Sequence, residues 1–246
     1  MTASPPIYYI SGDKGGVGKS ITSMSLLDHL AQQGHSILFI ETDTSNPDVW
    51  RCYEKTAAIE SKLLLLDQAD GWIALVNHCA DFSDRVVVVN AAARSNIGLS
   101  AYGATLQGAL PDLQRDLIAL WVINRQRDSL ELFRQFLKAF PTAQVHFIRN
   151  LYWGTEDKFE LYNTSAIRTT IEERGGLTLN FPELADRVAN NLFTDRLAIE
   201  QALKDLPIGN RAELRRWRNE CEKIWLALEE RYGSASHHAR NAAVAA

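Results

Sequence analysis

Nine consecutive residues, Gly12-Asp13-Lys14-Gly15-Gly16-Val17-Gly18-Lys19-Ser20, have the types and spacing needed to grip a phosphorylated ligand. Glycines at 12, 15, 16 and 18 let the main chain curl until several N–H groups point at one phosphate. Lys19 is placed to reach β- and γ-phosphates, and the Ser20 hydroxyl to ligate Mg²⁺. The contacting stretch is read as Gly12 through Ser20 together with Ile21, and Lys14 and Lys19 are its two cations. This chemistry is that of a nucleoside triphosphate site.

Such a loop works only between a strand that aims it and a helix that adds its positive end to the anion. The apolar run Ile7-Tyr8-Tyr9-Ile10 enters it and a helical pattern from Ile21 to Gln33 leaves it. A binding loop of this kind needs one lysine; Lys14 is a second, five residues before Lys19. A loop cation there can neutralise charge that builds on a transferring phosphoryl group. The sequence Lys-Gly-Gly-Val-Gly-Lys-Ser at 14–20 resembles the deviant Walker A motif of the ParA/MinD ATPases. That resemblance implies ATP and Mg²⁺ as cofactors, and a dimer with ATP between the subunits, in which Lys14 contacts phosphate, often that of the facing subunit.

Composition is compatible with one large α/β domain. The chain has 246 residues, 46% of them hydrophobic, enough to fill a single core. A net charge of −4 gives no global attraction to nucleic acid or anionic membrane. No stretch of 18 apolar residues spans a membrane, and the Met-Thr-Ala-Ser-Pro-Pro start does not read as a secretory signal. A cytoplasmic location is expected. Cys52, Cys79 and Cys221 are scattered, unlike the clustered thiolates of iron–sulfur carriers that share this loop.

Strands alternating with helices predict a mostly parallel sheet covered on both faces, a three-layer P-loop NTPase fold. Strands are expected at 7–10, 37–40, 86–89, 117–123, 145–148 and 177–181, and helices at 19–33, 69–80, 129–139, 156–174, 193–204 and 211–231. The Gly-, Ala- and Ser-rich segment 98–110 reads as a mobile connection. Residues 1–232 form one domain in this reading, and 233–246 a disordered tail.

In open α/β sheets ligands lie beyond the carboxyl ends of strands. After Phe39-Ile40 comes Glu41-Thr42-Asp43, followed by Ser45-Asn46-Pro47-Asp48. Asp43 matches the second acid of the family's D-x-D element, and the resemblance implies that it positions the attacking water and Mg²⁺; it also suits the start of an Asx turn. Glu41 stands at the first acidic position, with a longer side chain than the usual Asp. Asp48 reads as the first residue of a helix. In the family the 86–89 strand ends in an aspartate that holds metal-bound water. Here that position falls on Asn90 or Val89, and neither is charged. Asn90 can accept a hydrogen bond from such a water without a carboxylate's pull. The metal set is thus Ser20, Asp43 and, through water, Asn90, with slow hydrolysis expected.

The resemblance also places a base-contacting asparagine after the 145–148 strand, at Asn150, with Asn124 as competitor; Phe181 and Pro182 flank the base. The Asn-x-Tyr-Trp-Gly block at 150–154, the Pro182 loop and residues 196–203 resemble the TraL-type branch, which belongs to conjugative transfer and plasmid stability modules. A protein partner from a transfer or partition system is implied. Leu214, Trp217, Cys221, Ile224, Trp225, Leu228 and Tyr232 form one apolar stripe that suits docking on the parent sheet. The arginines around it, Arg211, Arg215, Arg216 and Arg218, are the alternative, a weak DNA contact. Three readings follow: a slow dimeric ATPase switch, an adaptor that binds ATP without turnover, and, least supported, a ligase, for which no nucleophilic cysteine or dedicated substrate pocket stands out.

Overall fold

The computed structural model describes residues 4–12, 15–93 and 95–244, leaving out the side chains of 128, 129 and 233–244. Asp13 and Lys14 lie outside the described residues, and so do the side chains of the expected tail. Seven strands form one sheet: β1 (Ile7–Gly12), β2 (Ile37–Glu41), β3 (Ile59–Leu63), β4 (Val86–Asn90), β5 (Leu117–Ile123), β6 (Gln144–Asn150) and β7 (Thr178–Phe181). Their order is β3-β2-β4-β1-β5-β6-β7, and every described pairing is parallel. Parallel strands need crossovers, which supply the helices on both faces.

Alternation along each strand decides which layer a side chain joins. Tyr8, Ile10, Phe39, Val88, Leu120 and Val122 pack beneath α1 (Lys19–Gln32), α2 (Asp48–Tyr53), α8 (Asp186–Thr194), α9 (Ile199–Asp205) and α10 (Ile208–Val244). Tyr9, Leu38, Val87, Trp121 and Phe147 face the other layer. That layer holds α3 (Ala69–Asp81), α4 (Asn96–Leu113), α5 (Asp128–Ala139) and the shorter α6 (Glu160–Asn163) and α7 (Ala166–Glu173). Chain connections add β2, β3 and β4 on one side of β1, then cross to add β5, β6 and β7 on the other. The end of β1 is therefore the switch point of the sheet, where a crevice opens for ligands.

Four expectations need correction. The 98–110 segment is not a loop but most of α4. Its small residues serve close packing: a Cβ on Gly98 would meet the Leu66 carbonyl oxygen at 2.0 Å, and one on Gly103 would meet Ala139 at 3.3 Å. Strand β3 was not anticipated; Glu60, Ser61 and Lys62 give it a polar reading that only an edge strand tolerates. The 156–174 helix is broken into a 3₁₀ turn at Glu156–Lys158, α6 and α7, because Ser165 caps α7 by accepting from the Arg168 N–H. The 193–204 helix is likewise two helices, α8 and α9, separated where Arg196 adopts φ +53°.

The C-terminal stripe docks on the sheet layer as expected: Leu214, Trp217, Cys221, Trp225 and Leu228 are buried in the α1 layer. Polar ties reinforce that contact. Arg218 on α10 binds Asp28 on α1 through two bonds of 2.7 and 3.0 Å, Trp225 Nε1 donates to Ser25 Oγ at 2.9 Å, and His29 Nε2 meets Glu229 at 2.9 Å. Arg216 is engaged by Glu213 and Glu220. Two of the arginines considered for DNA contact are thus held in intramolecular pairs. Among the described residues no helix is long and apolar enough to cross a membrane.

The close approach at Gly98 gives a direct test. Gly98→Ala gains about 1 kcal/mol of helix propensity but must displace the Leu66 backbone, at about 1–3 kcal/mol. A net loss of stability is expected in urea unfolding; an unchanged or raised midpoint refutes the packing account.

Candidate functional site

The loop leaves β1 at Gly12, whose space is closed by the Val122 carbonyl, and enters α1 at Gly18. Gly18 holds φ +108°, a conformation that side-chain-bearing residues rarely adopt. A Cβ there would also fall 2.2 Å from Asn150 Nδ2. That amide donates to the Val17 carbonyl at 2.8 Å, and its Oδ1 accepts from the Tyr152 N–H at 3.1 Å. The end of β6 thereby fastens the loop while Val17 buries its side chain in the core. Gly15 and Gly16 stay exposed at the rim, and Lys19 is buried at the head of α1 beside half-buried Ser20.

Facing this loop is a cleft of about 370 Å³, lined by Gly15, Gly18, Lys19 and Ser20 on one side and by Asp43, Asp48 and Asn90 on the other. Asp43 Oδ1 accepts from the Asn46 N–H at 3.0 Å, a side-chain-closed turn one residue wider than the expected Asx turn, and leaves the other carboxylate oxygen outside that bond. Asp43 thus both closes the turn and lines the cleft. Asn46 Nδ2 donates to Asp48 Oδ2 at 2.6 Å, and Asp48 opens α2.

Thr42 was not anticipated as a site residue, yet it ties the ends of β2 and β4. Its N–H and its Oγ1 each donate to the Asn90 carbonyl at 3.1 Å, and its Oγ1 accepts from the Ala92 N–H at 2.7 Å. Its only sequence signal is its place between two acids at a strand end. Glu41 lies directly opposite Asn90 in the β2–β4 register. Burial pushes the Glu41 carboxyl up to about 7, against the opposing pull of hydrogen bonds from Asn90 and the Asp43 N–H.

Next to the phosphate cleft is an apolar one of about 170 Å³, lined by Ile21, Asn150, Tyr152, Phe181, Pro182 and Phe193, among others. The structure brings Asn150, Phe181 and Pro182 to one cleft. Trp217 braces this wall by donating from Nε1 to the Pro182 carbonyl at 2.9 Å. Asn124 lines neither cleft and accepts from the Gln126 N–H at 2.8 Å. Phe193 was missed because its helix was placed too late in the chain.

The donors near Ser20 are hydroxyl, carboxylate and amide oxygens, a hard set that suits Mg²⁺. Among the described residues no three His, Cys, Asp or Glu side chains converge as a metal cage. Magnesium commonly uses substrate phosphates and water in place of such a cage. Ser20 and Asp43 would hold it directly and Asn90 through water.

A glycine-rich loop at the switch point of a parallel sheet, closing on a buried lysine and a serine, defines a P-loop nucleotide-binding protein. The chain belongs to the CobQ/CobB/MinD/ParA nucleotide-binding domain family, whose model, CbiA, matches residues 8–154. It is similar to the protein MobD of Acidithiobacillus ferrooxidans, 57% identical over 218 residues that cover 89% of this chain and 95% of MobD. It is also similar to the protein TraL of Escherichia coli, 26% identical over 215 residues, covering 81% of this chain and 87% of TraL. These relatives agree with the TraL-like branch read from residues 150–154 and 196–203.

Two solved structures carry the same fold. MinD of Pyrococcus horikoshii OT3, complexed with Mg-ADP, aligns with a TM-score of 0.55 at 14% identity over 89% of this chain and 96% of MinD. A Borrelia burgdorferi B31 protein described as a plasmid partition protein and bound to AMPPNP aligns at 0.56 and 18%, over 91% and 99% of the two chains.

Gly18 offers the sharpest test of the site geometry. In Gly18→Ala the strained φ and the collision with Asn150 cost about 1–3 kcal/mol, concentrated in the loop. ATP affinity measured by calorimetry should fall about tenfold or more; an unchanged affinity would show that the loop has another way to close.

Proposed function

We propose that this protein binds Mg·ATP in the P-loop cleft, hydrolyses it slowly and dimerises face to face across the nucleotide. It acts as a nucleotide-dependent switch in the transfer, partition or stability of a plasmid or other mobile DNA. The observation that carries this reading is the convergence on one cleft of Lys19 and Ser20 from the loop with Asp43 and Asn90 from two other strand ends. The likeness to MobD and TraL supports the mobile-DNA setting. A cytoplasmic location fits a protein that uses ATP beside DNA.

In this reading the main-chain N–H groups of the loop bind the β- and γ-phosphates, and Lys19 neutralises them. The adjoining apolar cleft takes the base beside Phe181 and Pro182, with the Asn150 amide at its edge. When bound, Mg²⁺ supplies charge neutralisation at the phosphates. Asp43 orients the attacking water, its carboxylate held in place by the Asn46 N–H. Lys14 reaches the phosphate of the facing subunit, so dimer formation and nucleotide state are coupled. The γ-phosphate holds the segments at 41–48 and 90–98, and the affinity for a transfer or partition partner follows from their arrangement. Arg215, exposed on α10, remains for a weak DNA contact, whereas Arg211 donates to the Lys204 carbonyl at 3.4 Å.

One observation favours the second reading, an adaptor that binds ATP without turnover. The end of β4 carries the neutral Asn90, whose carbonyl and amide are already hydrogen-bonded within the protein. Phosphate release separates the two readings. Turnover that falls at least about 100-fold in Asp43→Ala, the range of a lost general-base contribution, supports the ATPase. Absence of turnover in the parent protein, with or without DNA, supports the adaptor. In Lys14→Ala, light scattering should show loss of the ATP-dependent dimer with the monomer still folded, and a normal dimer would remove the proposed role of that lysine.

A further inference from the structure

Glu41 and Asn90 face each other across β2 and β4, both almost wholly buried at 1% and 3% exposure. Asn90 Nδ2 lies 3.0 Å from Glu41 Oε1 and 3.0 Å from Oε2. At its other end Asn90 Oδ1 is 2.9 Å from Ser23 Oγ, on the helix that begins with Lys19 and Ser20. With Glu41 ionised, its two oxygens can only accept, which sets the amide nitrogen toward Glu41 and the amide oxygen toward Ser23, whose Oγ also lies 2.9 Å from the Lys19 carbonyl. Asn90 therefore turns its oxygen toward α1, in the cleft that Ser20 also lines.

Building on the Mg·ATP reading above, we propose that Glu41 is a positioning residue that supplies, through Asn90, the negative charge that the end of β4 lacks. A carboxylate that accepts both contacts from an amide nitrogen pushes electron density onto the amide oxygen, making it a stronger acceptor. It also stops the amide from flipping its N–H groups toward the metal's water shell. The residue types fit such a division. Two carboxylates about 3 Å apart in a buried site cannot both stay ionised, whereas one acid and one amide hold a single charge between them. An aspartate at 41, one methylene or about 1.5 Å shorter, would withdraw its oxygens from Asn90.

The experiment, run well above neutral pH so that the Glu41 carboxyl is ionised, is calorimetric titration of ATP with Mg²⁺ and again with EDTA, the ratio of affinities giving the metal's contribution. Glu41→Gln keeps the shape, loses the charge and sets an amide against an amide; its metal contribution should fall about tenfold, the scale of one charge-assisted hydrogen bond. Glu41→Asp keeps the charge and loses the reach, and should fall by a similar factor. Glu41→Gln combined with Asn90→Asp returns one carboxylate to the pair and should recover to within about threefold of the parent. A metal contribution unchanged in both single variants, or a double variant no better than Glu41→Gln, overturns the inference. A Glu41→Gln that fails to fold leaves the decision with Glu41→Asp and the double variant. The parent protein distinguishes the two levels: no ATP binding there defeats the nucleotide reading itself, while binding with indifferent variants defeats only the role of Glu41.

Discussion

The architecture of the site rests on one main-chain bend. Between β1 and α1 the backbone turns within a few residues, and it does so through the positive φ of Gly16 and Gly18. The bend is not self-supporting: the Asn150 amide holds the Val17 carbonyl from the end of β6. Five strand ends then act on one small volume. Those of β2 and β4 supply polar groups, those of β6 and β7 supply the apolar wall, and β1 supplies the bend. A parallel sheet makes this possible because all of its carboxyl ends emerge on the same side.

Much of this was legible in the residues. The strands that run as unbroken apolar stretches, such as 86–89 and Leu117–Ile123, are central strands buried on both faces. The loop was legible because phosphate binding constrains residue type at nearly every position. The illegible parts have a common physical cause: their reason lies in a partner far along the chain. Gly98 looks like flexibility until Leu66 is seen against it. Ile59–Leu63 looks like a polar connection until β2 provides its ladder.

The site followed the same rule. Lys19, Ser20, Asp43 and Asn150 were readable from local pattern and resemblance, and the structure brings them to two adjoining clefts. Thr42 was not readable, because its role is to bond the Asn90 carbonyl and the Ala92 N–H, both encoded about fifty residues away. Nor could the choice between Asn150 and Asn124 be made locally. Both end strands; only β6 delivers its asparagine to the loop.

The contact between the first and last helices has a mechanical corollary. Salt bridge, indole and imidazole clamp α10 along successive turns of α1, from Ser25 to His29. A rod clamped at several points along its length cannot pivot independently of its neighbour. A displacement of α1 would therefore carry the clamped stretch of α10, from Arg218 to Glu229, along with it.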